Sequence, residues 1–290
     1  MFLTSSAYAV LALAIVLALT LRSSPIALVA FSIACALGLL AGLLHVSAAV
    51  SILLIGVLTF LVFGKAPNRQ VRLVSTVLLL VTGHLVMIHA LPGFDNLKVL
   101  SGVQVSPNGI PYSMYLNFDK AVLGFFLVLF AAEPLKSRSE LNACVRAAAT
   151  WFAPTAGLLI LLAYLAGLVV FDPKIPSFLP VWIFSNLLIT CVAEEAFFRR
   201  FVLAELGKHA GSERIRNAIA LILSSLFFAY YHLNGGLLFA GFSLVAGLCY
   251  GAAYLRTNRV EVAILVHFLV NLTHILFFTY PFLATSVGLQ

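Results

Sequence analysis

The sequence predicts an all-α fold: a polytopic bundle of about ten transmembrane helices with both termini outside. Three observations carry that prediction. Of the 290 residues, 62% are hydrophobic and only 9% are charged, whereas a soluble domain carries roughly 25% charged residues. The apolar residues gather into ten runs, and the mean hydropathy is +1.10. Fourteen of the seventeen Lys and Arg residues fall in alternate breaks between those runs. Together these exclude a soluble globular protein, a disordered chain and a secreted disulfide scaffold.

A helix needs about 20 apolar residues to cross the hydrocarbon of a bilayer. The runs are residues 5–21, 25–44, 47–63, 72–91, 120–135, 149–171, 178–198, 216–232, 236–255 and 261–281. The first is read as a retained helix rather than a signal peptide, because it lacks a basic n-region and no clear cleavage site precedes Arg22-Ser-Ser-Pro25. Pro, Gly, Asn and charge mark further breaks at Gly64-Lys-Ala-Pro67-Asn68, Asn234-Gly235-Gly236 and Arg256-Thr-Asn-Arg259. The longest polar stretch, 92–118, holds Pro92, Gly93, Asp95, Asn96, Gly102, Pro107, Asn108, Gly109 and Pro111. It reads as an external loop covering the membrane surface.

The net charge is +7. In a soluble protein this would hint at nucleic acid; here it reports topology, and no nucleic-acid partner is expected. One set of breaks holds Arg22; Lys65, Arg69 and Arg72; Lys136, Arg138 and Arg146; Arg199, Arg200, Lys208, Arg214 and Arg216; and Arg256 and Arg259. The other set holds Lys98, Lys120 and Lys174. The positive-inside rule makes the first set cytoplasmic, giving a multi-pass protein of the cell membrane with the lipid bilayer as its surroundings. Cys35, Cys144, Cys191 and Cys249 form no CxxC pair, and three lie inside apolar runs. They read as packing residues. A soft boundary falls near residue 145: few ionisable residues lie inside the earlier runs, and several inside the later ones.

Ionisable residues inside spans are costly and mark functional sites by default. Three places stand out. The first is Cys191-Val-Ala-Glu194-Glu195-Ala-Phe-Phe-Arg199-Arg200. On a helix Glu195 faces Arg199, four residues on, in the favourable order. Glu194 looks across to Phe198 and has no such partner. An unpaired carboxyl in an apolar site can serve as general acid or base near neutrality; solvated glutamates at a helix end are the plainer alternative. The second is an aromatic run ending in His232 beside a helix break, where a capped or snorkelling side chain is the alternative. In the third, His267 and Asn271 share one face of a helix and His274 follows, a stripe that interhelical hydrogen bonding would equally explain. Taken together, a carboxylate and an imidazole can hold and deprotonate a water. A second imidazole and an amide can donate to the oxyanion of an attacked carbonyl.

Glu194-Glu195-x-x-x-Arg199, Phe228-x-x-x-His232 and His267-x-x-x-Asn271 resemble, in order, the three motifs of the CPBP family. This family, also called Abi, includes the CAAX prenyl proteases of the Ras-converting type. Gly247-x-x-x-Gly251-x-x-Tyr-Leu-Arg256-Thr is similar to the family's approach to its third motif. The resemblance covers about residues 149–281. It implies a glutamate-type intramembrane endopeptidase in residues 146–290, preceded by N-terminal helices, 1–145, of unassigned role. It further implies that Glu194 and His232 activate the attacking water. His267 and Asn271 would then stabilise the oxyanion, with Glu195 and Arg199 in support. Its substrates are membrane-anchored peptides or proteins: prenylated CAAX tails, bacteriocin-type peptides or C-terminal sorting anchors. HExxH is absent and the motifs give no closed set of three zinc ligands, so no cofactor is expected, zinc being the alternative.

A linear topology sets Glu194 near the cytoplasmic end of its run and His232 near the outer end of the next. At 1.5 Å per residue those ends lie on the order of 20–25 Å apart. A shared site therefore needs a longer seventh helix, a tilt, or a re-entrant, amphipathic 199–216 segment. Two other readings compete. Buried Glu and His suit a proton-coupled transporter, although no inverted repeat of broken helices is visible. Cys191 with Arg199 and His232 would suit a thiol sorting protease.

Overall fold

A computed structural model describes residues 2–21, 24–64, 66–208 and 212–289. The chain is 73% helical. Among the described residues ten long helices fall one on each apolar run: α1 Phe2–Thr20, α2 Pro25–Leu40, α3 Ala48–Phe63, α4 Arg69–Met87, α5 Phe118–Ala131, α6 Arg138–Leu165, α7 Leu179–Leu206, α8 Glu213–Tyr230, α9 Leu237–Thr257 and α10 Val260–Phe277. Six of them, α1, α4, α6, α7, α9 and α10, are long and apolar enough to cross a membrane. Arg22 and Lys65, two of the residues used for topology, lie outside the described residues.

The structure departs from expectation in three elements. Helix α6 starts at Arg138 rather than at 149, because Ser137 and Glu140 cap it: Ser137 Oγ accepts from the Glu140 N–H at 3.1 Å, and Glu140 Oε2 from the Lys136 N–H at 3.0 Å. It ends at Leu165, where Gly167 (φ +67°) lets the Gly167 and Leu168 amides fold back onto the Tyr164 and Ala163 carbonyls. Helix α7 runs through Leu206, eight residues past the predicted end. The re-entrant 199–216 segment is therefore mostly helix. The polar stretch is not all loop: Leu97–Val103 (β1) and Tyr112–Leu116 (β2) pair as a hairpin, its turn held by Gln104 Nε2 donating to the Ser106 and Gly109 carbonyls, both at 2.6 Å.

The chain forms two compact units. The first comprises Met1–Leu97, Leu116–Glu140 and Leu188–Phe201. Helix α5 is its core. Twelve of its 14 residues are buried, and it packs on α1, α3, α4 and residues Val192–Glu195 of α7. A helix apolar all round belongs in such a place. Phe125 stacks on Phe31 with centroids 4.2 Å apart. Gly124 lets the backbones meet: a Cβ there would lie 3.1 Å from Ala193 Cα. The outward faces of α2 and α3 carry exposed Val29, Leu40, Val50 and Leu53, as hydrocarbon contact requires.

The second unit comprises Lys98–Tyr115, Leu141–Leu187 and Val202–Gln290. Helix α9 packs between α8 and α10. Gly247 and Gly251 face Ser225 and Leu221 of α8, as close helix approach predicts. Gly241, on the same helix, has no atom within 4 Å of the Cβ position. The chain after α10 returns under the hairpin. The Ile110 amide donates to the Phe282 carbonyl, and the Leu283 amide to the Leu168 carbonyl.

Candidate functional site

In the first unit, Glu194 and Glu195 lie on a single α-helical turn, Val192–Glu195, between two π-helical stretches, Ser185–Cys191 and Ala196–Leu203. Such widened turns occur frequently at functional sites. Glu195 pairs with Arg199 as the spacing predicts: Oε2 to Nε is 3.1 Å, with side chains 0% and 1% exposed. Arg199 is thus no loop residue, and neither is Arg200, whose Nε donates to the Ala131 carbonyl at 2.5 Å. The expectation that Glu194 lacks a partner is wrong. Lys120, from the first turn of α5, donates to Glu194 Oε1 at 3.1 Å, with side chains 13% and 10% exposed. Lys120, expected in an external break, is part of a buried ion pair. A partner 74 residues away carries no periodicity, so helical spacing could not reveal it.

In the second unit, His232, His267 and Asn271 line one cavity of about 150 Å³. His232 comes from the turn after α8, and His267 and Asn271 share a face of α10. His232 Nδ1 lies 2.9 Å from the Phe228 carbonyl. A carbonyl only accepts, so Nδ1 carries a proton, and in the neutral ring the lone pair is then on Nε2. His267 is buried and stacks on Tyr250 (centroids 4.7 Å, 19° between planes), and Phe228 meets both rings edge-on. Asn271 Nδ2 donates to Asn186 Oδ1 at 3.3 Å. His274 also faces the cavity, its Nε2 donating to the Thr279 carbonyl at 3.1 Å. Most of the remaining lining is apolar. Sequence reasoning missed Tyr250 and Asn186. The one sits beside the glycines already noted; the other is a lone amide in an apolar run.

Histidines outside the three motifs have other partners. His45 pairs with Asp95 at 2.9 Å and His89 with Asp119 at 2.7 Å, while His209 lies outside the described residues. Cys191 is fully buried, whereas reactive thiols are partly exposed in electropositive surroundings. Among the described residues, no three His, Cys, Asp or Glu side chains gather closely enough to hold a metal ion.

At the hairpin's edge Lys174 Nζ reaches Asp172 Oδ2 at 3.1 Å and the Phe278 carbonyl at 2.5 Å. Burial opposes ionisation of Asp172, but hydrogen bonds from Ser106 and Lys174 outweigh it and hold the carboxyl below its usual range.

No curated protein and no solved structure matches this chain. Residues 176–273, from just before α7 to the last part of α10, match the sequence model of the Rce1-like family, described as type II CAAX prenyl endopeptidase Rce1-like. That CPBP-type match, over the segment carrying all three motifs, marks the protein as a membrane protease, a peptide hydrolase.

Proposed function

We propose that the protein is a glutamate-type intramembrane endopeptidase that cuts a peptide bond next to a membrane anchor. Glu194 and His232 activate the water, Glu194 taking its proton and returning it to the leaving amine. His267 and Asn271 hold the oxyanion of the tetrahedral intermediate. The observation that carries this is the meeting of His232, His267 and Asn271 in one largely apolar cavity. An imidazole with its lone pair on Nε2 can accept from water, and buried donors act strongly where the dielectric is low. Glu195 and Arg199 form a buried ion pair beneath the glutamate turn. The reaction needs no metal. Residues 146–290 carry the chemistry, and the ten helices are ten crossings of the cell membrane with both termini outside. The substrate is a C-terminal segment held at the bilayer by a prenyl group or by its own helix.

The test is cleavage of two co-expressed reporters, one prenylated and one ending in an anchor helix. Wild type is compared with Glu194→Gln and His267→Ala, with and without a chelator. Glu194→Gln should abolish the product while leaving the amount of folded protein unchanged. His267→Ala should lower the rate about 10²–10³-fold, as removal of an oxyanion donor does. Chelator should change nothing. Equal product from all three proteins sinks the assignment, and chelator-sensitive cleavage restores a metal.

A further inference from the structure

We infer that Lys120 is a positioning residue for Glu194, and that through it the N-terminal helices complete the catalytic apparatus; the inference rests on Glu194 acting as the base. Lys120 occupies a doubly unfavourable place. An ammonium in the first turn of a helix meets the positive end of the helix dipole. An ammonium on a side chain only 13% exposed, among apolar helices, loses much of its hydration. Its 3.1 Å contact with Glu194 Oε1 offsets both. The pair is not a chance meeting of flexible side chains, because the backbone on each side is fixed. The Phe118 amide donates to Asn96 Oδ1 at 2.8 Å, and the Lys120 amide to Asp119 Oδ1 at 2.8 Å. Asp119 Oδ2 is in turn held by His89 Nδ1 at 2.7 Å. One turn further along the same face, Gly124 brings α5 against Ala193, the residue before Glu194.

Two adjacent buried carboxylates would repel each other unless each had a cation. Arg199, on the same helix, compensates Glu195. Lys120 compensates Glu194 from a different helix. The ammonium supplies charge and direction and exchanges no proton with the substrate.

The experiment uses the full chain in lipid nanodiscs and an internally quenched peptide ending in a prenylated cysteine and three further residues. Lys120→Met should lower kcat about 100-fold, the scale of a misplaced catalytic group, and leave KM unchanged. Lys120→Arg, which keeps a cation, should recover most of that loss. A wild-type kcat in Lys120→Met, a change confined to KM, or a loss that Arg does not rescue overturns the proposal. Activity retained by Glu194→Gln would instead overturn the proposed function.

A second reading needs no substrate. An apolar carbodiimide modifies protonated carboxyls and spares those held in an ion pair, and peptide mass spectrometry locates the adduct. Lys120→Met should raise modification of Glu194 and leave Glu195 unchanged. Equal modification of Glu194 in both proteins overturns the pairing.

Discussion

Glu194 and Glu195 are neighbours with different partners, and the different duties proposed for them rest on that difference. Glu195 and Arg199 are withdrawn from solvent almost completely. A buried pair of this kind adds little over an apolar pair of equal volume, but removing one member strands the other. Arg199→Met should therefore cost about 3–5 kcal/mol, read as a lower midpoint of thermal unfolding in detergent micelles. Adding Glu195→Gln should return a large part of that loss, because no lone charge remains. An unfolding midpoint untouched by Arg199→Met would deny the pair its structural duty. The i, i+4 spacing made this pair legible in the sequence. Lys120 was not legible, since nothing in the local pattern joins residue 120 to residue 194. Tyr250 was half legible: the small residues around it announced close packing, but not which aromatic ring would lie on His267.

At the scale of elements, apolar runs located all ten helices, and their ends were misjudged where local chemistry outweighed hydropathy. Ser137-x-x-Glu140 is a capping signal readable in the sequence, and it starts α6 among charged residues that hydropathy alone excludes. Helix α7 continues past Arg199 and Arg200 because both meet partners inside the fold, Glu195 as an ion pair and the Ala131 carbonyl as an acceptor. The hairpin went unpredicted because turn residues dominate 92–118 and hide two short strands. Its edge is tied to the rest of the second unit through Asp172, Ser106 and Lys174, and this tie is sensitive to pH. The folded carboxyl titrates below its unfolded value. Its stabilisation is therefore complete above about pH 4, where the unfolded carboxyl is ionised, and is lost as pH falls through the lower folded value. Asp172→Asn should reduce stability by about 0.5–1 kcal/mol at neutral pH, with the difference closing in strong acid. Unfolding curves at pH 7 and pH 3 check it, and an equal loss at both would assign the effect to packing instead of charge.

For the whole molecule, the number of crossings and the orientation form a single question. Each apolar run bears one long helix, yet only six have the length and hydropathy of an unassisted span. Helix α5, with 14 residues, covers about 21 Å of a hydrocarbon core near 30 Å thick. It is buried by other helices on nearly every side, so protein rather than lipid meets its ends, and polar groups such as Lys120 and Asp119 can sit at its start without facing hydrocarbon. A short central helix can therefore count as a crossing. On that count the positive-inside rule would put the hairpin outside and the 132–140 connection inside. Exposed Ser101, on β1, and exposed Ser139, in the first turn of α6, report the two sides. In a chain whose four native cysteines are replaced by alanine, Ser101→Cys should react with an impermeant maleimide on intact cells. Ser139→Cys should react only after the membrane is opened. Labelling of both on intact cells would remove α5 as a crossing and shift every later helix by one. The reverse pattern would invert the molecule and place Lys120 and the start of α5 toward the cytoplasm.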